Sequence, residues 1–234
     1  MDFSVIKHFS FDLWLTIIKS NPQFKTERTK YFHQYYNSLN KSIEEVAKIF
    51  RQVDIMCNSI NEKTGSNIDT DEMYLMIIYL LNDNNSFFKE MSFADLYIKM
   101  EALFFKYPPV FYDENTASCL SKIKELPFVT MSVMSNTAFI KGSTLRLLLQ
   151  KLRIADYFSF QLYSDEVMIS KPQKAIFEIM NQNIMNVRKD DFLNSYQIMH
   201  VGDNPIADIH GAVKAGIKSF LINSNHKTIA DIFN

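Results

Sequence analysis

A chain of 234 residues, 47% of them hydrophobic and including twenty Phe and eleven Tyr, is long enough for one sizeable core or for a core domain carrying a smaller inserted one. Its 25 basic and 26 acidic residues nearly cancel, so no electrostatic footprint for nucleic acid or a membrane surface is present. Apolar runs such as Tyr74–Leu81 fall far short of the roughly 20 residues a membrane span needs, and MDFSVIKHFS lacks the basic head and apolar segment of a signal peptide. A cytoplasmic protein is the expectation. Cys57 and Cys119 stand in unrelated contexts, with neither a CxxC pair nor a zinc set, and are expected to be buried reduced thiols. His8, His33, His200, His210 and His226 show no metal-binding spacing and read as scattered.

The first element is the apolar run Val5, Ile6, Phe9, Phe11, which suits a central strand and is ended by the carboxylate of Asp12. Asn21-Pro22 then marks a turn, and residues 24–107 read as almost wholly helical. Ser42-Ile43-Glu44-Glu45 is a capping box, since the hydroxyl and the carboxylate can each satisfy an exposed backbone N–H. Val46, Ile49, Phe50 and Val53 follow at helical spacing. Asn61–Asp69, with Gly65 inside it, reads as a loop. Asp71–Leu81 and Ser92–Lys106 read as two more helices, and Tyr107-Pro108-Pro109 stops the region. Eighty-odd residues without a strand are too many for a plain crossover, so an inserted helical domain is expected. Tyr31, Phe32, Tyr35, Tyr36, Phe87, Phe88, Phe104 and Phe105 would form its own core.

From Glu114 the alternation of an α/β protein sets in. Helices are expected at Asn115–Leu126, Phe139–Leu152, from Lys171-Pro172 through Met180, and at Ala207–Ala215. Strands are expected at Phe128–Met134, Tyr157–Tyr163, Tyr196–Val201 and Lys218–Ile222. The predicted fold is therefore α/β: a three-layer Rossmann-like sandwich with a mostly parallel sheet and an inserted all-helical domain. Strands would end near Asp12, Met134, Tyr163, Val201 and Ile222. Residues 1–17 and 114–234 would make the core domain, and 18–113 the helical cap.

A lone Asp at a strand end is usually a cap of the next turn, so Asp12 needs partners to mean more. They are present as Met134-Ser135-Asn136-Thr137, Ser170-Lys171-Pro172 and Val201-Gly202-Asp203-Asn204-Pro205-Ile206-Ala207-Asp208. With Phe11-Asp12-Leu13-Trp14-Leu15-Thr16 these resemble the four signatures of the haloacid-dehalogenase-like (HAD) hydrolase superfamily, in family order from Asp12 to Asp208. Each is weak alone; together they are specific. The resemblance implies Asp12 as nucleophile, with Ser135 and Lys171 as catalytic partners. It implies Thr16, Ser135, Asn136 and Lys171 around a substrate phosphate. It also implies a Mg²⁺ site of Asp12, Asp203, Asp208 and the backbone carbonyl of Trp14, with Asp208 binding through water or orienting Lys171. The 18–113 insert stands where the family carries its cap.

An Asp nucleophile splits phosphoryl transfer into two easier displacements, while Mg²⁺, a lysine and backbone N–H groups offset the meeting of two anions. The departure lies at Trp14, where phosphatases of the superfamily usually carry a second Asp as general acid/base; Leu15 stands where Gly is usual. Such help is typically worth about 10²–10⁴-fold. The leading expectation is a Mg²⁺-dependent phosphatase acting on a small phosphorylated metabolite, a monomer or homodimer with no nucleic-acid or membrane partner. The alternatives are a 2-haloacid dehalogenase, whose family also lacks Asp at the Trp14 position, and a catalytically weakened phosphate-binding protein. Gly202-Asp203, the form that keeps metal, speaks against the dehalogenase. Neither Arg28 nor Arg51 can be assigned from spacing as its substrate-carboxylate ligand.

Overall fold

The computed structural model describes residues 5–83, 92–189 and 191–233. Strand β1 (His8–Phe11) is buried along its whole length, as expected where both faces of a parallel sheet are covered. After it come β2 (Ile18–Lys19), α1 (Pro22–Tyr35), α2 (Ile43–Thr64), α3 (Thr70–Leu81), α4 (Phe93–Lys106) and β3 (Val110–Phe111). The chain continues with α5 (Thr116–Glu125), β4 (Thr130–Ser135), α6 (Gly142–Lys151), β5 (Phe160–Tyr163), α7 (Ser164–Val167) and α8 (Lys174–Arg188). It ends with β6 (Ile198–Gly202), a π-helical turn (Pro205–His210), α9 (Gly211–Lys214) and β7 (Lys218–Leu221). The five long strands form one parallel sheet in the order β5-β4-β1-β6-β7.

One face of the sheet packs Phe9, Phe11, Met131 and Val133 against Leu120 and Ile123 of α5 and Leu145 and Leu148 of α6. The other packs Met134, Leu162 and Ile198 against Phe177, Met180 and Ile184 of α8 and Ala212 of α9. Three layers result. The carboxyl ends of β4, β1 and β6 lie side by side, and a ligand crevice belongs there in an open α/β sheet.

The helical insert has its own apolar cluster, which includes Phe32, Val46, Phe50, Val53, Tyr74 and Met100. Local chemistry explains its helices. The side chain of Asn21 accepts from Gln23 N with Pro22 in the first turn, and Ser42 and Glu45 form the expected capping box. A second box, Asp69 with Glu72, starts α3 at Thr70, one residue before the expected Asp71. The segment Asn61–Asp69 is a loop only from Gly65 onward. Val53, Cys57 and Asn61 continue the buried stripe of α2, and Gly65 ends the helix at φ +74°.

Other expectations also shift. The insert is not all helical, because β2 and β3 pair antiparallel where it leaves and rejoins the sheet; two-residue strands carry no readable period. Phe32 lies in the insert's core with Tyr31 and Tyr36 against it, whereas Tyr35 is exposed. Phe104 and Phe105 belong instead to the cluster under the sheet, where Phe104 meets Phe24 edge-on at 5.6 Å. Phe87 and Phe88 lie outside the described residues. The helix expected to open at Lys171-Pro172 begins at Lys174, and it runs past Met180 to Arg188. Residues Ala155–Tyr157 form a 3₁₀ turn, so β5 starts at Phe160. Cys57 and Cys119 are free and buried in separate clusters. Among the described residues no helix is long and apolar enough to cross a membrane.

Candidate active site

Along β1 the side chains alternate, and His8, Ser10 and Asp12 fall on one face. These are the polar members of the strand, and each finds partners on the neighbouring strands. Asp12 is buried, and its N–H donates to Val201 O at 2.9 Å, which ties the end of β1 to β6. Ser135 Oγ, at the end of β4, donates to Asp12 Oδ1 at 3.0 Å. Lys171 Nζ, also buried, spends its three protons on Asp12 Oδ1 at 2.7 Å, Asp208 Oδ1 at 2.7 Å and the Met134 carbonyl at 2.8 Å. Thr16 Oγ1 donates to Asp12 Oδ2 at 3.1 Å and lies 3.5 Å from Asp203 Oδ1.

Carboxylate oxygens of Asp12, Asp203 and Asp208 lie within 4.8 Å of one another. Burial raises the Asp12 carboxyl, Lys171 only partly opposes this, and the Asp208 charge adds to the rise. Burial works against Asp208 as well, but Lys171 and the His200 hydrogen bond outweigh it and hold that carboxyl below the ordinary range. Asp203 is pushed up to about 7 by burial and by the charges of Asp12 and Asp208. Among the described residues it is the acidic group of the three that lacks a cation of its own at hydrogen-bond distance.

Asp208 is spoken for at both oxygens. Oδ1 accepts from Lys171 and His200, and Oδ2 accepts from Asn204 N at 2.9 Å. This geometry favours the orienting role over direct metal contact. Gly202 makes it possible, since a Cβ there would stand 2.2 Å from Asp208 Cγ. The Asn136 side chain, expected at a phosphate, instead clamps Lys171: Oδ1 accepts from Lys171 N at 2.8 Å and Nδ2 donates to Lys171 O at 3.0 Å. The Trp14 ring packs partly buried against the core cluster. The turn's backbone bonds use Leu13 O and Ile18 O, leaving the Trp14 carbonyl outside them.

Sequence reasoning missed His200, Ser10, Asn204 and Glu62. His200 is fully buried, and burial lowers its basicity. It is therefore neutral, with Nε2–H donating to Asp208 and Nδ1 accepting from Ser10 Oγ at 3.0 Å. The period-2 alternation His8, Ser10, Asp12 inside an otherwise apolar strand was the signal available. Asn204 and Glu62, 2.7 Å apart at Nδ2 and Oε1, had none.

The model of the haloacid dehalogenase-like hydrolase family matches residues 10–222. The chain belongs to this family. It is 29% identical to the pyrimidine 5'-nucleotidase YjjG of Escherichia coli (strain K12) over 79 residues. That match spans 34% of this chain and 32% of the relative, about a third of its length. Among solved structures, the HAD-hydrolase YfnB of Bacillus subtilis, bound to magnesium, superposes with a TM-score of 0.66 at 16% identity, covering 94% of this chain and 90% of that one. A HAD phosphatase from Thermococcus onnurineus gives 0.65 at 19% identity, covering 95% and 88%. A 2-haloacid dehalogenase from Pseudomonas syringae pv. Tomato DC3000 gives 0.63 at 20%, covering 95% and 89%. At such identities the likeness shows the fold, which phosphatases and dehalogenases share. As a haloacid dehalogenase-like hydrolase, the chain is of interest for where its acidic cluster and Trp14 place it within that range.

Proposed function

We propose that the chain is a Mg²⁺-dependent phosphatase that acts on a small phosphorylated metabolite through an aspartyl-phosphate on Asp12. The observation that carries this is charge. The Lys171 ammonium pairs with Asp12 and Asp208 and leaves Asp203 without it; with all three carboxylates ionised, the largely buried site carries an excess of two negative charges. Uncompensated buried charge is costly, and a divalent cation supplies the missing two units. The candidate oxygens lie within 4.8 Å of one another, near enough for one ion to be shared. A metal-free dehalogenase would have no use for Asp203. Asp12, Asp203 and the Trp14 carbonyl would hold the ion, with Asp208 behind them. When bound, the ion would offset the repulsion between nucleophile and phosphate.

The protein's own groups then do the rest. Asp12 attacks phosphorus, the bond to the leaving oxygen breaks, and the phosphoryl group passes to the carboxylate. Water next attacks phosphorus, and the bond from phosphorus to the Asp12 oxygen breaks. Phosphate leaves carrying the water's oxygen, the proton the water loses passes to solvent, and the Asp12 carboxylate is restored. Lys171 and the hydroxyls of Ser135 and Thr16 are near enough to Asp12 to bind phosphoryl oxygens, with the backbone around Asn136 completing the cradle. Trp14 cannot protonate the leaving oxygen, so substrates with good leaving groups are favoured. The partial likeness to a pyrimidine nucleotidase puts nucleoside monophosphates among the substrates to try.

The test is hydrolysis of p-nitrophenyl phosphate with and without Mg²⁺ by the wild type, Asp12→Asn and Asp203→Ala. Turnover should require the metal and vanish in Asp12→Asn. Magnesium affinity, read by calorimetry, should fall sharply in Asp203→Ala. A wild type inert at every Mg²⁺ concentration would remove the phosphatase reading.

A second reading, a 2-haloacid dehalogenase, is favoured by Trp14 and by Arg28. The Arg28 guanidinium is buried 4.2 Å over Phe50 and 4.5 Å over Phe139, and its Nε has no hydrogen-bond partner among the described residues. Halide release from 2-chloropropionate decides for it. Magnesium-dependent phosphate binding without turnover of either substrate would mark a weakened binding protein instead.

A further inference from the structure

Glu62 stands near the C-terminal end of α2 in the insert, yet its partner belongs to the sheet domain. Glu62 Oε1 accepts from Asn204 Nδ2 at 2.7 Å. The other polar atoms of Asn204 organise the site: its N–H donates to Asp208 Oδ2 at 2.9 Å, and Oδ1 accepts from Ile206 N at 2.8 Å and Ala207 N at 3.0 Å. Asp208 Oδ1 in turn holds Lys171 Nζ, which reaches Asp12. An unbroken chain of hydrogen bonds thus runs from the insert to the nucleophile.

The orientation of an Asn amide is decided by its partners, because turning it over hardly changes its shape. The two backbone donors that open the π-helical turn already require Oδ1, and Glu62, which can only accept, takes the NH₂ end and ties it to the insert. Removing Glu62 removes that tether from the turn carrying Asp208. The same end of the insert also docks beside Lys171. Ser170 N donates to Gly65 O at 2.8 Å, and Ser66 bridges Ile169. Gly65 lies so close that a Cβ would meet Gln173 Cβ at 2.7 Å.

We propose that Glu62 is a positioning residue carried by the insert: by tethering the side chain of Asn204 it helps hold Asp208 and Lys171 against Asp12, so that the lysine is fully set while the insert is docked. It acts through Asn204 and not on the substrate. The kinetic arm of its test rests on the phosphatase reading; the exchange arm does not.

The experiment compares Glu62→Ala with Glu62→Gln, whose amide oxygen still accepts from Asn204. Amide hydrogen exchange over residues 203–210 should quicken about tenfold or more in Glu62→Ala and return close to wild type in Glu62→Gln. With p-nitrophenyl phosphate and Mg²⁺, kcat should fall about tenfold in Glu62→Ala with KM within about twofold, and recover in Glu62→Gln. Glu62→Met, similar in size but without the acceptor, replaces the alanine variant if that one does not fold. Unchanged exchange in Glu62→Ala overturns the proposal. So does a Glu62→Gln variant as impaired as Glu62→Ala, because the charge and not the hydrogen bond would then be operating. A wild type without phosphatase activity removes only the functional reading, and exchange still decides the role of Glu62.

Discussion

Trp14 and Leu15 are the residues at which this chain parts from the usual pattern of its family. Leu15 adopts φ +59° and is half exposed. The left-handed region costs an L-residue roughly 1–2 kcal/mol, so the turn after Asp12 is built for the glycine usual at that place. Asn223 steadies it, with Nδ2 donating to Leu15 O at 2.8 Å and Thr16 O at 3.2 Å. Trp14 removes the proton donor but keeps the backbone carbonyl in place. Under the phosphatase reading, Trp14→Asp should raise turnover on alkyl phosphates by about 10²-fold or more, because their leaving oxygens need protonation. Aryl phosphates should gain much less. Circular dichroism must first show the variant folded, since the indole packs on the core. A folded Trp14→Asp protein with no gain on any alkyl phosphate would count against the phosphatase.

Strand β1 acts as a polar stripe laid inside an apolar sheet. Its first member, His8, bonds Thr130 Oγ1 at 2.8 Å and Ser132 Oγ at 2.9 Å and stacks on Phe160 at 5.8 Å. Burial, with the Arg188 charge adding to it, lowers His8 from 6.5 to about 3. Between those values the unfolded chain binds a proton that the folded chain refuses. The contribution is therefore complete above pH 6.5 and is lost as pH falls toward 3, at about 1.4 kcal/mol per pH unit. By pH 5 the His8 share of that loss should reach about 2 kcal/mol. Burial lowers His200 too, which acts in the same direction, whereas the raised carboxyls of Asp12 and Asp203 act in the opposite one, so the His8 share is the difference between the wild type and a variant without the imidazole. Urea unfolding at pH 7.5, 6 and 5 measures the slope, and His8→Gln should flatten it. An acid slope identical in the two proteins would show that His8 is not its source.

For the whole molecule, one joint between insert and sheet runs through Phe139. It follows the Ser135–Thr137 segment, yet its ring is buried in the insert's apolar cluster, 5.3 Å from Tyr74 and 5.6 Å from Phe50. Tyr74 Oη donates to Phe139 O at 3.1 Å, Thr70 Oγ1 to Ala138 O at 2.7 Å, and Lys141 N to Tyr97 Oη at 2.8 Å. Shared packing of this kind makes two apolar clusters unfold together. Phe139→Ala should cost about 3–5 kcal/mol, the usual range for emptying a buried Phe site. It should also part the two regions. Fluorescence of Trp14, the single tryptophan, reports the sheet, while far-UV circular dichroism draws heavily on the insert's helices. The two curves should coincide in the wild type and separate in Phe139→Ala; coincident curves in the variant would show that other contacts make the joint.

The sequence by itself determines the types and order of the longer elements. A capping box at Ser42 and Glu45, the stripe Val46, Phe50, Val53, and apolar strands with a carboxylate at the end are local patterns, decided by neighbours within a turn or two. The α/β class and the family followed from them and from the motif order between Asp12 and Asp208. Element ends were less legible. The first residue of α8 and the two-residue pairing of β2 with β3 depend on contacts rather than propensity. What only the tertiary structure decided is which side chains meet. The order β4-β1-β6 brings Ser135, Asp12 and Asp203 to adjacent strand ends. Lys171 can then serve two carboxylates at once, Asn136 is drawn to its backbone, and Glu62 finds Asn204 142 residues away. Hydrogen bonds and Coulomb forces act over a few ångströms of space whatever the separation along the chain, so no local pattern in the sequence announces them.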